Sequence, residues 1–449
     1  MKSYKINKAL LACTVALACA APVYADTPAA LMQPGADPEI SAFIAKIRAV
    51  DNHSHANSIV RGDTDYDALP LDGVAIEMPA QLRLDNPDWI AAYKALYQYP
   101  YDDMSEDHMR VLRGAMQDVV REQREDFPTW VLDQVGTEVL LANRIAMGPG
   151  LMSPRFRWVS YADALLLPLS TKAEAAVTPD REILYPLEDK LLRHYLSDLK
   201  IATLPATLDG YLESVVTPTL EAQRNAGCVA IKFEAAYLRG LDFDAADAET
   251  AKRVYAQHIA RGEPSHAEYK TLQDFLFRYI AREAGRLGMA VHIHSFEGFG
   301  PYYDVAGADP MLLEPAFNDP ALRNTRFVIV HGGGMYAPQA GAMTWKPNVY
   351  VDFSLMTVVY PPEKVAGILR NWLTQFPEKV LFGSDAIALG PDMGWEVTAW
   401  VAARTGRKAL ALALTEMIQA GEVSRARAEE IATMVLRTNA GTLYSLGLK

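Results

Sequence analysis

From about residue 205 onward the chain alternates short β-branched runs with stretches whose apolar residues recur at helical spacing, and this alternation constrains the fold most. The runs are 228–233, 290–294, 327–331, 348–353 and 380–383, separated by helical patterns such as 271–287 and 362–376. Strand then helix, repeated, is the pattern of a parallel sheet. Further strand-like runs at 48–53, 137–142 and 156–161 bring the total to eight, the number that closes a (β/α)₈ barrel. The expected fold class is therefore α/β, a TIM-like (β/α)₈ barrel, with helical insertions at 56–135 after strand one and 163–205 after strand three. The first insertion contains a strong helical pattern at 106–125. Both insertions leave strand C-terminal ends, the catalytic face of such barrels, so they are candidate walls around a substrate. Two further helical patterns, 394–421 and 424–446, are expected to pack outside the barrel. No internal repeat or low-complexity linker divides residues 26–449, which read as one domain.

The ends of these runs carry the candidate chemistry. In Asp51-Asn52-His53-Ser54-His55, strand geometry would put residues i and i+2 on one face, so that His53 and His55 converge and could hold one metal ion. Taken alone, the pair reads equally well as surface or core histidines. Of the nine histidines, His53, His55, His292, His294 and His331 all fall at strand ends, a clustering that packing does not explain. His108, His194, His258 and His266 lie in helical or loop stretches and read as solvated or structural. Strand ends of a parallel barrel meet at one mouth, so these residues and Asp385, just after the last run, could surround one ion.

Several stretches give the chain a family likeness: Ile231-Lys232-Phe233-Glu234-Ala235-Ala236-Tyr237, His292-Ile293-His294, Val330-His331-Gly332-Gly333, Val349-Tyr350-Val351-Asp352-Phe353-Ser354, Phe382-Gly383-Ser384-Asp385-Ala386 and Asn439-Ala440. Together they resemble the amidohydrolase superfamily, in its amidohydrolase-related, metal-dependent hydrolase branch, with most likeness to the amidohydrolase domain of nodulin- and FluG-type proteins. The resemblance implies His53, His55 and His294 as metal ligands and Asp385 as both ligand and proton acceptor. His292, one layer deeper, is the alternative ligand on strand five; otherwise it is a buried imidazole hydrogen-bonded beneath the metal. His331 would be either a ligand of a second metal or a neutral electrophile that polarises a substrate carbonyl. Lys232 is placed to carry a carbamate bridging two ions; its ordinary alternative is a pair with Glu234, itself a lesser candidate ligand.

The implied cofactor is a divalent metal, one ion or two, for which zinc suits the ligand set and manganese or iron are alternatives. The implied reaction is hydrolysis of an amide, peptide-like or ester bond in a small molecule, with a metal-dependent aromatic-acid decarboxylase, a sugar-acid isomerase or a non-catalytic metal binder as other readings. Tyr237, Arg239 and the pair Asn143-Arg144 lie just beyond strands four and two and are candidates to meet a substrate carboxylate, with surface arginine the ordinary alternative. The related proteins place a basic residue directly after the tyrosine, whereas Leu238 intervenes here.

Lys2, Lys5 and Lys8 precede an apolar run at 9–21, and Val23-Tyr24-Ala25 offers a small-residue cleavage site, so residues 1–25 read as an export signal. A retained anchor, or a lipoprotein acylated at Cys19, are the alternatives. Cleavage would leave Cys228 without a disulfide partner and shift the formal charge from −12 to about −15. That acidity, with no basic cluster, argues against nucleic acid and anionic membrane as partners of the mature protein. The expected location is periplasmic or secreted, the expected partner a small-molecule substrate, and a homo-oligomer stays open.

Overall fold

Eight strands pair in sequence order, every neighbouring pair parallel: β1 (Ala49–Ser54), β2 (Thr137–Asn143), β3 (Phe156–Tyr161), β4 (Cys228–Phe233), β5 (Ala290–His294), β6 (Phe327–Val330), β7 (Val349–Asp352) and β8 (Val380–Leu381). This is a computed structural model, and it describes residues 35–58, 67–71, 73–260 and 262–448; the expected signal at 1–25 lies outside them. Three backbone hydrogen bonds close the seam between the last strand and the first: Asn52 N–H to Phe382 O at 2.9 Å, Asp385 N–H to His53 O at 2.8 Å and His55 N–H to Ala386 O at 2.9 Å. The molecule is thus a (β/α)₈ barrel, as the alternation of runs predicts.

Strands buried on both faces need continuous apolar sequence. Every residue of β4, β5 and β6 is buried accordingly. Inside the lower barrel, Leu141, Val159, Ala230, Ala290, Val328 and Leu381 pack together. The first insertion supplies helices Pro87–Tyr97 and Glu106–Gln123 before Phe127–Gln134 leads into β2. Helix Pro179–Asp198 belongs to the second insertion. Helix Trp395–Gln419 packs outside, against Pro362–Leu373.

The last segment departs from expectation. Instead of one helix outside the barrel, helices Arg425–Thr433 and Asn439–Leu443 flank a π-turn at Met434–Thr438, and the chain end tucks beneath the strands. Leu443, Tyr444 and Leu446 join the inner cluster. The open bottom of a barrel exposes apolar side chains, and this segment covers them.

Candidate metal centre

Three residues reach the mouth from strand ends by different backbone routes. His53 lies near the end of β1, where the pairing register slips between Asp51 and Ser54. His331 and Asp385 follow β6 and β8 in the left-handed region, at φ 65° and 54°, a conformation that non-glycine residues rarely adopt outside strained or functional sites. In a regular strand His331 would point away from the interior, because Val330 already faces it; the left-handed turn swings the imidazole inward. The glycines that follow permit this. A Cβ on Gly332 would sit 2.3 Å from the Trp372 ring and 2.7 Å from Asp352 O.

His53, His331 and Asp385 each present a ligand atom, and the three atoms lie within 4.8 Å of one another. Asp385 Oδ1 is 3.1 Å from His53 Nε2 and 3.4 Å from His55 Nε2. The His294 ring stands 4.7 Å from that of His331 and 4.8 Å from that of Tyr237, centroid to centroid. Lys232 Nζ lies 3.4 Å from both His53 Nε2 and Glu234 Oε1, directly under the group. His292 sits deeper, its Nε2 2.7 Å from the Tyr444 hydroxyl. The other described histidines stand with acids elsewhere: His108 with Asp103, His194 with Asp198, His258 with Glu268 and His266 with Glu174.

Burial sets the protonation of this cluster. It pushes His53 and His294 well below the usual imidazole range, aided by Lys232 and His331 respectively. His331 and His292 are lowered to about 3, again by burial first. At His55 burial opposes the charged form, but the carboxylates of Asp385, Asp67 and Glu234 outweigh it and raise the pKa. Burial likewise works against the Asp385 carboxylate, yet the surrounding His331, His53 and His55 hold its pKa well below normal. The centre therefore offers several neutral imidazoles and one carboxylate.

The donor set fits a divalent cation. His294 Nε2 and Asp385 Oδ1 are buried without a hydrogen-bond partner, a state that costs about 1–3 kcal/mol each unless something else satisfies them. Neutral nitrogen lone pairs and a carboxylate oxygen converging on one point are the ligands such an ion requires. His53, His331 and Asp385 would hold it most directly, with His55 and His294 on either side. The structure thus brings His331 into the inner group, where the family likeness reserved it for a second ion or an electrophile.

Sequence reasoning gave three further neighbours no place beside the histidines. Asn143 Nδ2 lies 2.6 Å from His53 Nδ1. Asp67, from the first insertion, approaches His55 Nδ1 at 3.7 Å and accepts a hydrogen bond from Tyr161 OH at 3.1 Å. Ser354 Oγ is 2.9 Å from His331 Nδ1. The two arginines expected to meet a substrate have protein partners. Arg239 turns away from the mouth and pairs with Asp274 at 2.8 Å and Gln273 at 2.9 Å. Arg144 binds the carbonyls of Ala146 at 2.8 Å and Ala56 at 3.0 Å. Tyr237 remains at the site.

Above the centre opens a cavity of about 270 Å³. Its floor includes His55, Asp67, Glu234, His294, His331 and Asp385. Its walls are mostly hydrocarbon: Leu69, Leu71, Ile76, Met78 and Leu82 from the first insertion, with Phe299, Leu355, Val358 and Leu389 opposite. No arginine or lysine lines it among the described residues.

The family model described as Amidohydrolase matches residues 220–446, about half of the chain. Protein fluG of Emericella nidulans is 25% identical over 237 residues, 50% of this chain but only 26% of that protein, so the match spans about a quarter of the relative's length. A Lactobacillus casei protein assigned as a metal-dependent hydrolase superimposes with a TM-score of 0.61 at 17% identity, covering 91% of this chain and 98% of the other. Uronate isomerase from Thermotoga maritima does so with a TM-score of 0.60 at 11% identity, over the same shares of both chains. At such identities the two structures share the barrel and speak to fold alone.

Proposed function

The chain belongs to the amidohydrolase family, and from that premise we propose that it is an exported, metal-dependent hydrolase cleaving an amide, peptide-like or ester bond in a small substrate with an apolar body. The observation that carries this reading is the buried His53, His331 and Asp385 group, with an unsatisfied Asp385 oxygen, at the floor of an apolar cavity. A divalent ion held there, zinc suiting these ligands best, supplies Lewis acidity and lowers the pKa of water from 15.7 to about 7.

The remaining work falls to the chain itself. Asp385 is ionised throughout the physiological range and stands at the cavity floor, where it can take the proton of the attacking water and return it to the leaving group. Tyr237, packed on His294, lines the same cavity and can steady the substrate. The aliphatic walls exclude bulk water and take the apolar body.

The cavity also weighs against the isomerase reading. A sugar acid needs a cationic partner for its carboxylate, and among the described residues no arginine or lysine lines the cavity.

Metal analysis combined with a screen of dipeptides, N-acyl amino acids, lactones, aromatic acids and uronates tests the proposal. Release of an amine or alcohol supports it; release of carbon dioxide, or aldose–ketose interconversion without cleavage, overturns it. The same metal count resolves Lys232: a carbamate bridge predicts two ions per chain and loss of about one in Lys232→Ala. A single ion in excess metal and bicarbonate removes the bridge. For export, N-terminal sequencing of the mature protein should begin at Asp26, and material retaining Met1 in the cytoplasm would exclude it.

A further inference from the structure

The hydrogen bonds behind His331 have a fixed direction. Asp352 Oδ1 accepts the backbone N–H of His331 at 2.9 Å, the backbone N–H of Ser354 at 3.0 Å and the Ser354 hydroxyl at 2.6 Å. Its other oxygen accepts the Asn52 carboxamide N–H at 2.7 Å. With four donors aimed at it, Asp352 acts purely as an acceptor. Asn52 is itself oriented from below, because its carboxamide oxygen accepts the Tyr444 hydroxyl, and that hydroxyl oxygen faces His292 Nε2. Ser354 has one hydroxyl proton, and it is committed to Asp352. Its oxygen can therefore only accept at its second contact, His331 Nδ1, 2.9 Å away.

We propose that Asp352, acting through Ser354, locks His331 in the tautomer protonated at Nδ1, so that Nε2 presents a lone pair to the bound cation and cannot donate an N–H to a substrate carbonyl. The inference rests on the reading of this centre as a metal site. Within it, His331 is a ligand and not an electrophile, and Ser354 and Asp352 are positioning residues that touch neither substrate nor ion. The left-handed turn at His331 serves the same end, since it brings the ring to Ser354 and into the group formed with His53 and Asp385. Hydrogen-bond partners behind a metal-bound imidazole fix both its tautomer and its orientation, and their loss typically weakens metal binding about 10–100-fold.

The test uses the full-length protein and zinc alone, so no substrate is needed. ¹⁵N-histidine NMR of the metal-free protein, with the His331 signals assigned by their absence in His331→Gln, should show Nδ1 protonated and Nε2 bare. Chelator competition should then show Ser354→Ala binding zinc about 10–100-fold more weakly. Ser354→Thr, which keeps the hydroxyl, should recover most of the affinity, which a general packing defect would not allow. A His331 protonated at Nε2 overturns the proposal, as does unchanged zinc affinity in a folded Ser354→Ala. A protein that passes both tests yet cleaves no amide or ester would refute the hydrolase reading and leave this one standing.

Discussion

Replacing Asp385 by Asn should separate holding the ion from using it. The residue sits at φ 54°, and asparagine tolerates the left-handed region better than most side chains, so the turn after β8 should survive. Its backbone N–H still reaches His53 O at 2.8 Å, keeping the barrel seam closed. The amide keeps an oxygen that can face His53 Nε2 and His55 Nε2, now at 3.1 and 3.4 Å from Oδ1, but it cannot take a proton. Loss of general-base help is worth about 10²–10⁴-fold in rate, or about 3–5 kcal/mol of barrier. The expected result is a folded variant that retains much of its metal by elemental analysis, with kcat/KM for the substrate found in the screen reduced at least about 100-fold. Turnover near the wild-type level in the metal-loaded variant would show that the proton goes elsewhere, and the assignment of Asp385 as acceptor would fall.

Two further substitutions probe the layers around it. His53→Ala or His55→Ala should abolish metal binding, and with it the zinc-dependent rise in melting temperature; ligand at about 100 times its Kd stabilises a protein by about 2.7 kcal/mol, so an undiminished zinc shift in either variant would move the site. His292→Gln should make the metal-free protein less acid-sensitive. His292 falls from 6.5 to about 3 on folding, so below pH 6.5 the unfolded chain binds a proton that the folded one refuses, and stability is lost as pH falls. This one group removes about 2 kcal/mol between pH 7 and 5, at about 1.4 kcal/mol per unit; urea titrations of wild type and variant at both pH values should differ by that amount, and parallel pH profiles would contradict the burial argument.

The barrel was legible because period and length suffice to find buried parallel strands, and all eight runs match the observed strands to within two residues at either end. The eighth is shorter than its apolar run, with Asp385 delivered by a left-handed turn. Nothing in a single sequence marks a histidine or aspartate for positive φ, so the inward swing of His331 could not be read either. The partners of Arg239 were not legible either, because proximity in sequence to a strand end says nothing of long-range contacts: Asp274, 35 residues beyond Arg239, claims its guanidinium. Asp67 came from a part of the first insertion outside its helical pattern. The folding of the chain end beneath the barrel was likewise hidden, since a helical pattern rich in Ala and Leu looks the same outside a barrel as under one.

The layering of the barrel explains why its mouth should hold a cation at all. Below lies hydrocarbon, closed by Leu443 and Leu446. Above that floor, His292 Nε2, Tyr444, Asn52, Asp352 and Ser354 form a chain of hydrogen bonds in a buried polar layer, with His292 Nδ1 alone left without a partner among these groups. In the next layer His294 Nε2 and Asp385 Oδ1 also lack partners, and burial has already removed the protons that would let most of these imidazoles pair with carboxylates as cations. A site this dry cannot recover that cost from bulk water, and it cannot recover it by protonation without placing imidazolium in a low dielectric. A divalent cation does recover it, because it takes neutral nitrogens and a carboxylate together and needs no proton displaced from His53, His294 or His331 at neutral pH. The same burial that makes the empty centre costly thus makes the loaded one selective for metal over protons, and the apolar cavity leaves the side facing substrate as the way in.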